Sequence, residues 1–190
     1  MRKEVERCRL AFEQAAGGKD TGMICSGDAG VYGMSGVILE IGAEYPQVSV
    51  EIVPGVTAAL SGGALLGAPL MHDFAVISLS DLMTPWELIA KRLEAAASAD
   101  FSICIYNPSS KKRADYLQKA CEILRKFRSG DTICGVVSNI GREGVSLPPA
   151  ACSKARRQRS TSLRMGVVRN SLSGKCSFTK STYTVYPTIT

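Results

Sequence analysis

The chain has 190 residues, with 45% apolar and 21% charged side chains, a balance that suits a soluble globular protein able to bury a core. No apolar run reaches the roughly 20 residues that a bilayer-crossing helix needs, and seven cysteines without a Cys-x-x-Cys pair, beside a single His, argue against a zinc site. The net charge of +6 invites a nucleic-acid reading, yet all 17 acidic residues lie at or before Glu143, while residues 144–190 carry eight Lys or Arg and no acid.

The body is therefore near neutral and the basicity belongs to the tail, which has few aromatics interleaved with its charges. No nucleic-acid partner is expected.

Residues 2–16 place Val5, Cys8, Ala11, Phe12, Ala15 and Ala16 at the i, i+3, i+4 spacing of an amphipathic helix. The charged opening "MRKEVERCRLAFEQ" does not read as a secretory signal. "GGKDTG" ends the helix and "MICS" (23–26) reads as a strand. After a glycine-rich loop, "MSGVILEIG" reads as a helix stopping at Gly42. "VSVEIVPG" (48–55) is a β-branched strand closed by Pro54-Gly55. "VTAALSGGALLG" is a small-residue helix, and "DFAVISLSD" the next strand. Thr84, Pro85 and Glu87 then read as N-cap, first turn and capping box of a helix running to about Ser98. "FSICIYNP" is a strand, 111–127 a basic amphipathic helix, and "DTICGVVSN" a further strand. Cys25, Cys104 and Cys134 fall inside these strand-like runs, which predicts buried free thiols in a reducing, cytoplasmic setting.

Strands alternating with helices across short loops predict an α/β fold with a mostly parallel sheet. Ligands bind such sheets beyond the carboxyl ends of the strands. Four motifs fall there: Ser26-Gly27-Asp28, the 54–58 stretch "PGVTA", Tyr106-Asn107-Pro108, and "SNIG" ending at Gly141. In "SGDAGVYG", Gly27 and Gly30 permit a positive φ and remove the Cβ that would block a ligand. Asp28 could accept hydrogen bonds from a ligand, or cap the following helix. The stretch is neither a Walker loop nor Gly-x-Gly-x-x-Gly. Thr57 could hold a polar group at a helix N-terminus or simply cap that helix. Asn107 is equally readable as a turn former. Lys111, Lys112 and Arg113 could attract carboxylates or form a solvated face. His72 and Asp81 are weak signals individually.

Read in order, "SGDAGVYGMSG", "VEIVPGVTAALSGGALLGAPLMHDFAVISLSD", "TPWELIAKRLEAAASADFSICIYNPSSKKR" and "IGREG" closely resemble precorrin-3B C17-methyltransferases of cobalamin biosynthesis, which belong to the tetrapyrrole methylases. The resemblance covers about residues 1–145. It implies two α/β domains, 1–71 and 72–145, with S-adenosylmethionine in the cleft between them. Carried over by position, Ser26, Gly27, Asp28 and Val31 would form one cofactor loop. Thr57 and Ala58 would form a second, with Asn107 and Gly141 completing the contacts. The resemblance further implies methylation at C17 with ring contraction to precorrin-4 or its cobalt form, no metal of the protein's own, and a homodimer. It assigns no acid or base, and His72 and Asp81 are only guesses. An inactive remnant or partner subunit of the same fold is the other reading, as is a tetrapyrrole methylase acting at another carbon.

Two departures accompany the resemblance. Family members normally open with a strand and a Gly-x-Gly-Pro-Gly loop that nothing here matches, so the first domain is expected to be incomplete, with a sheet edge uncovered. After Gly144 the sequence leaves the family pattern. Re-dividing the codons by one base lets Ser146–Pro149 encode Ile-Thr-Thr, which suggests a frameshift near Val145; a divergent basic tail is the alternative. Either way, residues 146–190 are expected to pack poorly.

Overall fold

The structure is a computed structural model that describes residues 3–67, 69–108, 110, 113–130, 132–138, 140, 149–151 and 164–168. Its first helix, α1 (Glu4–Ala16), turns Cys8 and Phe12 inward at the spacing of one helical turn. They meet α2 (Ser35–Gly42), whose Ile41 completes a small core with Met23, Met34, Val37, Ile38, Tyr45, Val48 and Val50. Phe12 stacks on Tyr45 with ring centroids 4.9 Å apart, and Arg9 pairs with Glu44 across the same seam at 2.8 Å.

The third helix, α3 (Ala58–Leu65), buries Ala59, Gly62 and Gly63, the small residues that let it approach its neighbours closely. Ala59 and Cys104 form a second, smaller core with Leu66, Leu70, Val76 and Tyr106. This cluster joins the chain before residue 71 to the sheet that follows.

That sheet begins with β1 (Phe74–Ser78), crosses over through α4 (Trp86–Ser98), and returns as β2 (Ser102–Tyr106) parallel to β1, with Ser78 opposite Tyr106. Ile89, Leu93, Ala96 and Ala97 of α4 share one buried face, packed on Ile77, Leu79, Ile103 and Ile105. The helix α5 (Tyr116–Leu124) adds Ala120 and Leu124 to the same core, and β3 (Ile133–Ser138) adds Cys134. Two short strands complete the sheet, β4 (Pro149–Ala151) and β5 (Arg164–Val168). The strand order is β1-β2-β5-β3-β4, and β5 runs antiparallel to both neighbours. The strands β1, β2 and β3 therefore share one direction, and their carboxyl ends lie on one side.

Three expectations need correction. The segments 23–26 and 48–55 form no β-ladder among the described residues. Their alternation does direct Met23, Val48 and Val50 inward, but a strand also needs a neighbour's N–H and C=O groups, and none is described beside them. Ile24 and Val53 are consequently 90% and 72% exposed. Second, parts of the tail do pack: β5 inserts between β2 and β3, and β4 pairs with the far edge of β3. In sequence, Met165-Gly166-Val167-Val168 is an apolar stretch, a feature that the tail's charge masked. Third, α4 starts at Trp86 with Pro85 as N-cap and no side-chain cap bond, and α5 starts at Tyr116, so both helices are shorter than their sequence patterns.

Candidate functional site

The glycine loop is organised by its carboxylate. Asp28 Oδ1 accepts from the Gly30 and Val31 N–H groups at 2.8 and 3.1 Å, and Oδ2 accepts from Gly55 N–H at 2.9 Å. Asp28 therefore caps its own turn and ties the 26–33 loop to the 54–58 loop, and does not cap α2. These N–H groups, Gly55's foremost, hold its pKa below the usual carboxylate range. Asp28 is thus an anion at neutral pH, with one lone-pair direction of Oδ2 uncommitted among the described residues.

The two loops touch so closely that glycine is required. A Cβ on Gly55 would sit 2.2 Å from the Gly27 carbonyl oxygen. Backbone atoms cannot yield at such distances without parting the loops.

Thr57 occupies the N-cap position of α3 but does not cap it with its side chain. Its Oγ1 lies 2.6 Å from the Tyr106 hydroxyl, and that hydroxyl also accepts from the Ala59 N–H at 2.6 Å. Next along the chain, Asn107 takes a left-handed φ of 50°, a conformation that asparagine tolerates better than most residues. Its Nδ2 donates to Ser78 Oγ at 3.0 Å, linking the ends of β2 and β1. Tyr32, from the glycine loop, closes the circuit. Its hydroxyl donates to the Val76 carbonyl and accepts from the Ser78 N–H, both at 3.1 Å. A C=O and an N–H two residues apart face the same side of a strand, so this hydroxyl stands where a neighbouring strand's peptide would be on the outer edge of β1. Tyr32 also has a left-handed φ of 53°, a strained choice for a bulky residue, and its ring tilts against Tyr106 at 5.2 Å.

Four segments thus form a closed ring: Asp28 to Gly55, Thr57 to Tyr106, Asn107 to Ser78, and Ser78 to Tyr32, which lies back in the Asp28 loop. The ring brings together Ser26, Gly27, Asp28, Val31, Thr57, Ala58 and Asn107, at the carboxyl ends of β1 and β2. Gly141 lies outside the described residues. Sequence reasoning missed Tyr32, Tyr106 and Ser78. The signal was present, since Tyr32 interrupts the glycine loop and Tyr106 directly precedes Asn107, but a tyrosine beside a motif reads as core until its hydroxyl's partners are known.

The remaining candidates lie elsewhere or are committed. Asp81 accepts from the Tyr116 hydroxyl at 2.7 Å and pairs with Arg113 Nε at 3.4 Å. Arg113 also donates to the Leu79 carbonyl at 2.8 Å and is largely buried, so it pins the loop after β1 and is not a free cation for substrate carboxylates. Lys111 and Lys112 lie outside the described residues. His72 is exposed between α3 and β1. An open groove of about 990 Å³ adjoins the ring on its Gly27, Ala29 and Gly55 flank, running between segments 18–23 and 47–55; Thr57 and Asn107 do not line it. Among the described residues no cluster of His, Cys, Asp and Glu could hold a metal ion, and no helix is long and apolar enough to cross a membrane.

Comparison with known proteins gives the arrangement a context. A relative from Salmonella typhimurium, named a probable cobalt-factor III C(17)-methyltransferase, is 49% identical over 144 residues, covering 75% of this chain and 60% of the relative. A precorrin-3B C(17)-methyltransferase from a Sinorhizobium species is 41% identical over 162 residues, covering 82% and 64%. The chain therefore spans less than two thirds of the length of these relatives. Among solved structures, the methyltransferase CobJ superposes with a TM-score of 0.82 at 32% identity, covering 90% of this chain and 72% of that one. A uroporphyrin-III C-methyltransferase from Thermus thermophilus, complexed with S-adenosylhomocysteine, shares the fold at a TM-score of 0.64 and 21% identity. The family model for tetrapyrrole (corrin/porphyrin) methylases matches residues 2–147, and the chain belongs to that family.

Proposed function

We propose that the hydrogen-bonded ring holds S-adenosylmethionine and that the protein methylates a precorrin-3B-type tetrapyrrole, with or without cobalt, at C17 with ring contraction. The observation that carries this reading is the ring itself, which gathers three of the four loop motifs, those at 26–33, 54–58 and 106–108, at one rim of the sheet. The residues present suit the cofactor. Asp28 stays ionised and keeps one acceptor direction for an ammonium or hydroxyl, Thr57 offers a hydroxyl, and Gly27 removes a side chain from the approach.

When bound, the cofactor supplies a methyl group on a positively charged sulfur, an electrophile that an electron-rich carbon of the macrocycle attacks directly. The protein's part is to hold and orient. Asp28 and Thr57 fix the donor and the glycine backbones allow close approach, positioning worth several kcal/mol or more. Ser26, Val31, Ala58, Asn107 and Gly141 complete the contacts in this reading. No acid or base is assigned for ring contraction, because Asp81 is held by Tyr116 and Arg113.

A second reading, a fold that binds cofactor without turnover, is favoured by one observation. The 23–26 and 48–55 segments flank an open groove and have no ladder partner among the described residues. Calorimetric titration with S-adenosylhomocysteine tests the shared part of both readings: heat from the intact chain, lost in Asp28→Ala, is expected. A folded protein that gives no heat would overturn them. Transfer of labelled methyl to a precorrin-3B-type substrate then separates the two, since binding without transfer favours the second.

A further inference from the structure

The geometry points to Tyr106 as a positioning residue that aims the Thr57 hydroxyl as a donor toward an oxygen acceptor of the bound cofactor; the inference rests on the cofactor reading above. An N-cap threonine ordinarily spends its side-chain oxygen on an N–H of the first helical turn. Thr57 does not, because Tyr106, reaching in from the end of β2, takes the Ala59 N–H instead.

The hydrogens can then be counted. A phenolic hydroxyl has one hydrogen to give. The Tyr106 oxygen already accepts from Ala59, and the only acceptor described within reach of its own hydrogen is Thr57 Oγ1 at 2.6 Å. With Tyr106 donating to Thr57, the threonine's hydrogen has no partner among the described residues and is released to a ligand. Were Thr57 to donate instead, the count would leave the Tyr106 hydrogen over in the same way, but the phenol is the more acidic donor and the poorer acceptor of the two hydroxyls, and its oxygen already accepts from Ala59, so Tyr106 is the donor of the pair. Tyr106 therefore does two things with one oxygen: it caps α3 in place of Thr57 and sets the rotor of the Thr57 hydroxyl. The contact also spans the two parts of the molecule, since Thr57 precedes α3 and Tyr106 ends β2. Tyr32, tilted against the Tyr106 ring at 5.2 Å, limits the swing of that ring.

The test is S-adenosylhomocysteine titration of the full chain and of Tyr106→Phe, Thr57→Val, Thr57→Ser and the Tyr106→Phe/Thr57→Val double variant, with thermal unfolding recorded for each. Tyr106→Phe should weaken binding roughly tenfold, the scale of one lost hydrogen bond to a ligand. Thr57→Val should weaken it at least as much, and Thr57→Ser should bind like the parent. Because Tyr106 acts through Thr57, the double variant should bind no more weakly than Thr57→Val alone. Additive losses in the double variant, or parent-like binding by Tyr106→Phe, would overturn the inference while leaving the cofactor reading intact. If Tyr106→Phe does not fold, the threonine pair decides: Val weak with Ser intact supports the assignment, and equal binding by both overturns it. No heat from the unsubstituted chain overturns the cofactor reading and this inference together.

Discussion

The two parts of the molecule that meet at the ring are stabilised by different means. From Phe74 onward, a sheet carries α4 and α5 over a core in which Leu79, Leu93 and Leu124 are wholly excluded from solvent. Before residue 67 there is no ladder among the described residues. Cys8, Phe12 and Ile41 form a modest core, while Ile24, Val53 and Val56 stand 90%, 72% and 63% exposed. The second part has the redundancy of a packed sheet. The first relies on side-chain-to-backbone bonds, chiefly those of Asp28, Tyr32 and Tyr106, to hold its loops. The ring assembled from both inherits its rigidity from one and its vulnerability from the other.

The largest expected effect comes from the sheet side. Leu93→Ala empties a fully buried site and should destabilise the protein by about 2–5 kcal/mol in denaturant titration. Ile24→Ala, at a 90% exposed position, should stay within about 0.5 kcal/mol. Comparable losses from both would erase the contrast. Next comes Gly55→Ala, whose Cβ would lie 2.2 Å from the Gly27 carbonyl oxygen. Parting the two loops should cost about 1–3 kcal/mol, as overpacking generally does, and should abolish S-adenosylhomocysteine heat. Undiminished binding by that variant would mean that the loop contact is not needed for the site.

How much of this was legible beforehand follows the same divide. The βαβ unit β1-α4-β2 was readable because burial on the inner face of α4 follows the helical period, announced by Ile89, Leu93 and Ala96, and because β1 and β2 are short, nearly continuous apolar runs on either side of it. The segments 23–26 and 48–55 read equally well as strands, yet β-propensity reports only a residue's fit to a pleated surface, not whether a partner is there. The strand β5 was hidden because a basic composition drew attention away from its apolar run. At the site, glycines and Asp28 were visible as motif residues, but their partners were not. Whether Asp28 binds a ligand or its own loop depends on where Gly55 lies, 27 residues away in sequence, and only the fold supplies that distance.

A smaller effect concerns the charge on Asp28. Its native pKa is lowered by the N–H groups of Gly55, Gly30 and Val31, so the stabilising bonds are fully present above the ordinary carboxyl range and are lost as pH falls through the depressed native value. Protection of the Gly55 amide should therefore persist through mildly acidic pH and fail only in stronger acid. In Asp28→Asn, a neutral amide with one acceptor oxygen faces three N–H groups, so the Gly55 amide should be less protected above the parent's acid step, and the step itself should disappear. Amide exchange measured by NMR reads both. An unchanged acid step in the variant would show that another group governs this loop.

The finest comparison uses two cysteines as internal reporters, one in each part. Cys8 and Cys104 are both wholly buried, at 0% exposure, and burial raises both thiol pKa values, that of Cys104 to about 11. At pH 8 each is therefore a neutral, inaccessible thiol that reacts with iodoacetamide only after its surroundings open. Half-buried Cys25 and Cys121 should label before either of them. Between the buried pair, Cys8 is covered by the small α1–α2 core, whereas Cys104 lies in β2, flanked by β1 and β5. Opening the first requires separating two helices, and opening the second requires dismantling the middle of a sheet. Mass spectrometry of timed alkylation should find Cys8 modified before Cys104, and added S-adenosylhomocysteine should slow Cys8 more, since it braces the weaker part. Labelling of Cys104 before Cys8 would reverse the assignment of which half lends the site its rigidity.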